Sequence, residues 1–376
     1  MSLLKRMLSG ALLAIVAVGA SAQGRPAKDG IGNHPLSPNE KGGTGETGPY
    51  EVVPGHFRPN FPAGYTWGIV AGVYAESPDR VYVYQRGILP ALKVSVDANG
   101  MPARDNLGPN NANDMRREYV LTVYDRSGNS IAHWQHLDAM HGPGSSAHQI
   151  AVNPYDPEKH LWLVDAGENG GQILKVTRDG KLVMRIGPGK EAGCERPQDI
   201  AFLPNGDFWC VEGFDTAHVV GFSKEGKRLM EFGRSGTAPG EMMSPHSIAI
   251  DRGGRILIPE QEGDRIQVFD QNGRSVDIWP NIRRPQSIAI DKNDVIWEVG
   301  IPHRISGYDR NGRLLFSWGV AGGYPGQLFG GSQFDVDRLG NLYVAELRSG
   351  RVQMFRPKKG ADPKQLIAWP LDQRQQ

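Results

Sequence analysis

The strongest constraint on this chain is a repeat. Apolar residues at Val73, Ile150, Ile200, Ile248, Ile288 and Phe334 recur at steps of roughly 40 to 50 residues after a longer first one. Each opens a short strand, and a turn and a second apolar run follow, as in Leu161-Trp162-Leu163-Val164, Phe208-Trp209-Cys210-Val211 and Leu342-Tyr343-Val344. A third run then ends in a turn such as Phe269-Asp270-Gln271-Asn272-Gly273 or Tyr308-Asp309-Arg310-Asn311-Gly312. Asp bonds to the turn backbone and Gly accepts positive φ, so these turns close hairpins. Helical periodicity is nowhere sustained. Six such units predict an all-β, six-bladed β-propeller, whose radial closure hides the edges that an open sheet would expose. The polar stretch Asp97 to Arg117 interrupts the first unit and reads as a surface loop, with a gate over the channel as the alternative.

Outside the repeat, the start of the chain has the pattern of an export signal. Lys5 and Arg6 precede an apolar stretch from Leu12 to Val18, and Ala20-Ser21-Ala22 offers small residues for cleavage. A retained N-terminal anchor is the alternative, although the apolar run is short for a membrane span. The expected organisation is a signal peptide at 1–22, a Gly/Pro-rich linker at 23–49, the propeller at 50–360 and a tail at 361–376. The protein is expected to be periplasmic or secreted and monomeric, with no membrane span in the mature chain. A net charge of +1 gives no electrostatic reason for a nucleic-acid partner. Hydrophobic residues at 39% allow a sizeable buried core. The two cysteines, Cys194 and Cys210, read equally well as a disulfide or as two buried thiols.

Equivalent residues of a pseudo-symmetric propeller lie at similar radius and depth. The positions opening the inner strands are Ala71, His148, Gln198, His246, Gln286 and Ser332, polar in every unit but the first. Converging there, these side chains could hold a metal, a polar ligand or channel water. A second ring ends the second strands: Gln85, Asp165, Glu212, Glu260, Glu298 and Glu346. An acidic metal funnel is one reading. The favoured one is a set of blade staples, with Arg265, Arg304 and Arg351 as partners of Glu260, Glu298 and Glu346. Arg86 stands one residue beyond this ring and suits a substrate carboxylate. His136 and His141 read as surface histidines, and Trp67, Trp162, Trp209 and Trp297 as blade packing.

The D-x-x-G turns, the strand pairs and the endings Asp264-Arg265-Ile266-Gln267-Val268-Phe269 and Gly350-Arg351-Val352-Gln353-Met354-Phe355 resemble NHL repeats. Over roughly residues 60 to 357 the arrangement is most similar to the peptidyl-α-hydroxyglycine α-amidating lyases. That resemblance implies a zinc, or another divalent transition metal, on three histidines from alternate blades. Two match as His148 and His246; the third position holds Ser332. It also implies a catalytic role for Arg86, His148 and His246 and a substrate-binding role for Arg86, and the positions Phe214 and Gln261 fall at the substrate as well. Gln198 and Gln286 join the substrate-binding set by their places in the ring. Gln261 stands where a second arginine is expected, and Phe214 where the family has a tyrosine base. With phenylalanine there, Asp215 or a metal-bound hydroxide is the remaining candidate base. A structural calcium would take the backbone oxygens of Val73 and Ile150, but Gln333 replaces its aspartate.

The functional expectation is an exported, metal-dependent lyase-like enzyme acting on a small-molecule or peptide-like carboxylated substrate. C–N cleavage of an α-hydroxyglycine-type compound is implied by the resemblance alone. A non-catalytic NHL propeller that binds a ligand or protein is the alternative, since one fold hosts many functions. A lactonase-like hydrolase ranks third, because such sites use acid and amide oxygens on calcium.

Overall fold

A computed structural model describes residues 47–91, 115–167, 171–187, 193, 195–213 and 216–371. The signal-like segment, residues 97–114 of the insertion, Cys194, Phe214 and Asp215 lie outside the described residues. The predicted propeller is present as six antiparallel four-stranded sheets. Their inner strands are Val70–Ser77, Ala147–Val152, Pro197–Phe202, Ala249–Ile250, Pro285–Ile290 and Gly331–Val336, one for each unit of the repeat.

Closure of the ring uses both ends of the domain. Tyr50–Val53 pairs with Arg351–Pro357 and becomes the outermost strand of blade 6, so the first strand completes the last blade. The sequence placed this segment against the domain without assigning it a strand. Tyr50 anchors the closure: its ring is fully buried beside Trp318, and its hydroxyl accepts from the Ile367 N–H at 2.9 Å.

The second strands read as continuous apolar runs because both faces of each blade are covered. Side chains alternate along a strand. Leu161 and Leu163 therefore pack towards blade 1, whereas Trp162 and Val164 pack towards blade 3. The same split recurs around the disc, and the buried apolar clusters correspond to the six seams between neighbouring blades. Trp162, Trp209 and Trp297 are seam residues as expected. Trp67 packs on the seam between blades 6 and 1.

Turn glycines lock one blade to the next. Asp309 Oδ1 accepts from the N–H groups of Asn311 and Arg313 at 2.9 Å each, which fixes the turn. Gly312 then takes φ +75° against the Trp279 ring of the preceding blade, where an added Cβ would lie 2.3 Å from Cγ. Gly273 stands likewise on Phe232, and Gly180 on Trp134. Gly312→Ala combines a left-handed backbone with a collision against a large ring. It should cost roughly 2 kcal/mol or more, read as a lower urea midpoint at unchanged m-value.

Among the described residues no helix is long and apolar enough to cross a membrane.

Candidate functional site

Each inner strand carries one extra residue near its start. In blade 2, Ala147 pairs with Asp165 and Gln149 with Val164, which leaves His148 without a partner across the ladder. Ala71, Gln198, Gln286 and Ser332 are skipped in the same way in blades 1, 3, 5 and 6. In blade 4 the strand advances four residues from Pro245 to Ala249 while its partner advances three, from Glu260 to Leu257; the N–H of His246 reaches Pro259 O. All six ring positions are thus β-bulges. A bulge re-aims its side chain and frees it from the alternation of the strand. The polar identities at these positions were legible in the sequence; the bulges that turn them out of the ladder were not.

The two histidines meet. Their ring centroids are 4.6 Å apart with planes at 52°, and both rings are buried. His148 Nδ1 donates to Gln198 O at 2.7 Å, and His246 Nδ1 donates to Gln286 O at 2.9 Å. A carbonyl can only accept, so each Nδ1 carries the proton and each Nε2 keeps its lone pair. Burial holds both imidazoles neutral. It pushes His148 well below the usual histidine range, helped by the neighbouring His246 and Arg86, and brings His246 down to about 4. Arg86 acts on both rings and points its Nε at Ala147 O, 3.5 Å away. Arg117, which the sequence reading left inside the insertion, donates Nη1 to Ser145 O at 2.5 Å and to Arg86 O at 3.3 Å.

Around the histidines, Gln198 Oε1, Gln286 Oε1 and Ser332 Oγ are buried with no hydrogen-bond partner among the described residues. Both amide atoms of Gln149, the next residue after His148, are in the same state. Native interiors leave few such atoms, and a cluster of them marks a place that takes a ligand, an ion or ordered water. The two neutral imidazole nitrogens are ligands that a borderline divalent ion such as zinc takes. Among the described residues no third histidine, cysteine or carboxylate stands with them, so carboxamide and hydroxyl oxygens or water would have to complete the set.

Gln261 occupies the structural position of Arg86. Their N–H groups bond to the carbonyls two residues before the ring, Ser244 O at 3.0 Å and Ile69 O at 2.9 Å. The second blade-end arginine is therefore replaced in place rather than displaced. Phe214 is outside the described residues.

Four of the five acids in the second ring are staples. Asp165, Glu212, Glu260 and Glu346 each accept from a backbone N–H just ahead of the inner strand of their own blade: Ser146, Glu195, Met243 and Phe329, at 2.6 to 3.0 Å. Arg265 donates Nε to Glu260 at 2.8 Å, and Arg351 donates Nε to Glu346 at 3.2 Å, as the repeat suggested. Arg304 donates to Ser317 Oγ and Gly319 O.

His136 is exposed as expected. His141 is buried instead: Nδ1 donates to Leu137 O at 2.7 Å, and Nε2 accepts from the fully buried Tyr84 hydroxyl at 2.7 Å. The polar loop around His141 hid this, because its hydrophobic partner lies on another strand.

At the calcium positions Gln333 forms a clasp. Its Oε1 accepts from Val73 N at 3.0 Å and Ile150 N at 3.1 Å, and its Nε2 donates to Ile150 O at 2.8 Å. A cation on Ile150 O would meet amide protons there rather than oxygen lone pairs. This donor set does not fit calcium.

No protein-family model matches the chain. Human NHL repeat-containing protein 3 is 26% identical over 174 residues, 43% of this chain and 48% of that protein. The chain resembles NHL-repeat proteins. The peptidyl-alpha-hydroxyglycine alpha-amidating lyase 1 of Drosophila melanogaster is 27% identical over 130 residues, 30% of this chain and 24% of its own length. The peptidyl-glycine alpha-amidating monooxygenase B of Xenopus laevis is 22% identical over 214 residues, 54% of this chain and 23% of its own. The match thus spans about half the length of the NHL relative and a quarter of the amidating enzymes. A streptogramin B lyase structure superposes with TM-score 0.51 at 14% identity, covering 82% of this chain and 97% of that one. At that identity the likeness is one of fold.

Proposed function

We propose that the chain is a metal-dependent, lyase-like propeller enzyme acting on a small carboxylated substrate at the ring end of its channel. The observation that carries this reading is the buried His148–His246 pair, with both Nδ1 protons committed to carbonyls and both Nε2 lone pairs left over. A divalent ion held there would supply Lewis acidity toward a substrate oxygen. The two imidazoles would hold it, and the partnerless oxygens of Gln198, Gln286 and Ser332 would complete the set directly or through water. Arg86 presents a permanent planar charge beside the pair and orients the substrate carboxylate. Burial of the ring keeps water scarce and strengthens each of these interactions.

By resemblance to the amidating lyases, the reaction is C–N cleavage of an α-hydroxyglycine-type substrate. Phe214 cannot take the hydroxyl proton. Export directed by residues 1–22 belongs to the same proposal.

Elemental analysis tests the proposal at its base. The purified protein should carry about one equivalent of a divalent transition metal, and His148→Ala and His246→Ala should each weaken its retention ~10-fold or more. Circular dichroism should show both variants folded. A folded wild-type protein that retains no such metal, and whose melting ignores added zinc, would overturn the reading.

A further inference from the structure

One blade end differs in charge from the other five. Arg86, Ala166, Gly213, Gln261, Ile301 and Leu347 are equivalent positions, because the N–H of each bonds to the carbonyl two residues ahead of the ring residue of its own blade. Arg86 alone among them is charged. The insertion of blade 1 then brings a second guanidinium to the same place, that of Arg117, whose Nη1 reaches the backbone oxygens of Arg86 and Ser145.

The local backbone explains how Arg117 comes to face inward. The chain returns from the insertion in an extended segment, with Arg116 bridged to Ile88. Side chains alternate along such a segment. Arg116 and Glu118 therefore share one side, where Arg116 donates Nε and Nη2 to the Glu118 carboxylate at 3.0 and 2.6 Å and lies 4.7 Å over the Tyr65 ring. Arg117 takes the other side and is partly buried. Among the described residues it meets no carboxylate, since its contacts are the two carbonyl oxygens. Asp165 acts on it only at a distance, and the oxygens of that carboxylate are taken by Ser145 Oγ, Ser146 N, Gly167 N and Gln172 Nε2.

We propose that the site takes small dicarboxylates, with one carboxylate oriented by Arg86 and the second held by Arg117. A guanidinium is charged at any working pH, so its need for an anion does not depend on titration. A neutral amide would serve two carbonyls as well. A permanent cation in partly buried surroundings is costly without an acid, and an acid on the ligand removes that cost. Spacing sets the size of the occupant. Arg86 Nε faces Ala147 O, and Arg117 Nη1 faces Ser145 O, two residues earlier and at most about 7 Å away along the chain. A link of two or three carbons between the carboxyl groups suits that separation. A second carboxylate on Arg117 presupposes the first on Arg86, and does not presuppose a metal.

Calorimetric titration at neutral pH tests the proposal, with succinate and glutarate set against their half-amides, succinamate and glutaramate. Each pair has one length and differs by one charge. The diacids should bind ~10-fold or more tighter than the half-amides. Arg117→Gln should abolish that preference while half-amide binding holds, whereas Arg86→Gln should weaken diacid and half-amide together. Arg117→Lys keeps the charge and loses the planar fork, so its preference should be intermediate; it is read alone should Arg117→Gln fail to fold. Equal binding of diacid and half-amide by the wild type would overturn the proposal, as would a preference undiminished in Arg117→Gln or Arg117→Lys. Half-amide binding that Arg86→Gln leaves unchanged, or no binding of any of the four, would overturn the role of Arg86 and the dicarboxylate with it.

Discussion

Gln333→Ala should destabilise the protein by roughly 3 kcal/mol or more, because three buried backbone groups lose their partners together. The amide of Gln333 joins blade 6 to the inner strands of both blade 1 and blade 2 through Val73 N, Ile150 N and Ile150 O. Gly72 leaves room for it: a Cβ there would stand 3.1 Å from Gln333 Oε1. Gln333→Asp separates the amide from a cation. Aspartate is shorter and only accepts, so Ile150 O loses its donor and the carboxylate faces carbonyl oxygens. That variant should be destabilised in buffer and should regain melting temperature in millimolar calcium, whereas the wild type should not respond. A wild-type melting curve that rises with calcium would show that the clasp yields to the ion.

The repeat made the architecture legible because each level agreed with the next. The apolar period set the strands, the Asp and Gly turns set the hairpins, and two-sided burial explained runs such as Leu161 to Val164. The ring was legible as a list of residues, since pseudo-symmetry turns sequence alignment into spatial equivalence. Its chemistry was less so. That His148 and His246 would face each other depends on the bulge, which follows from one residue more in the inner strand than in its partner and has no residue signature. The commitment of each Nδ1 is set by a carbonyl of the following blade, 40 or 50 residues away. Arg117 joined the site from an insertion that reads as featureless polar sequence. Tyr84 and His141 make the same point in reverse: two residues far apart in the chain satisfy each other in a seam, so a histidine in a Gly/Ser loop is buried. Gln333 shows the limit of resemblance, because its side chain fills with its own donors and acceptor a place where the related pattern implies an ion.

Glu260→Ala is the second large effect, and it distinguishes a staple from a catalytic acid. Glu260 is fully buried, and its carboxylate takes Arg265 Nε at 2.8 Å, Gln267 Nε2 at 2.7 Å and Met243 N at 2.8 Å. Arg265 is itself well covered, with its remaining donors on Thr237 O and Glu241 O. Removing the acid strands a buried guanidinium, an amide and a backbone N–H, and the loss should be about 3–5 kcal/mol by chemical denaturation. Glu260→Gln keeps the volume and one acceptor oxygen, so it should lose less. The double variant Glu260→Ala/Arg265→Met removes the stranded charge with its partner, so its stability should recover part of the way towards wild type. If Glu260 is a staple, the recovered double variant also regains metal retention at the ring, because the inner strand of blade 4 is again held in place and Pro245-His246 with it. If Glu260 instead acts on a ligand, the double variant folds and stays defective, and the acidic ring becomes a functional surface rather than the frame of one.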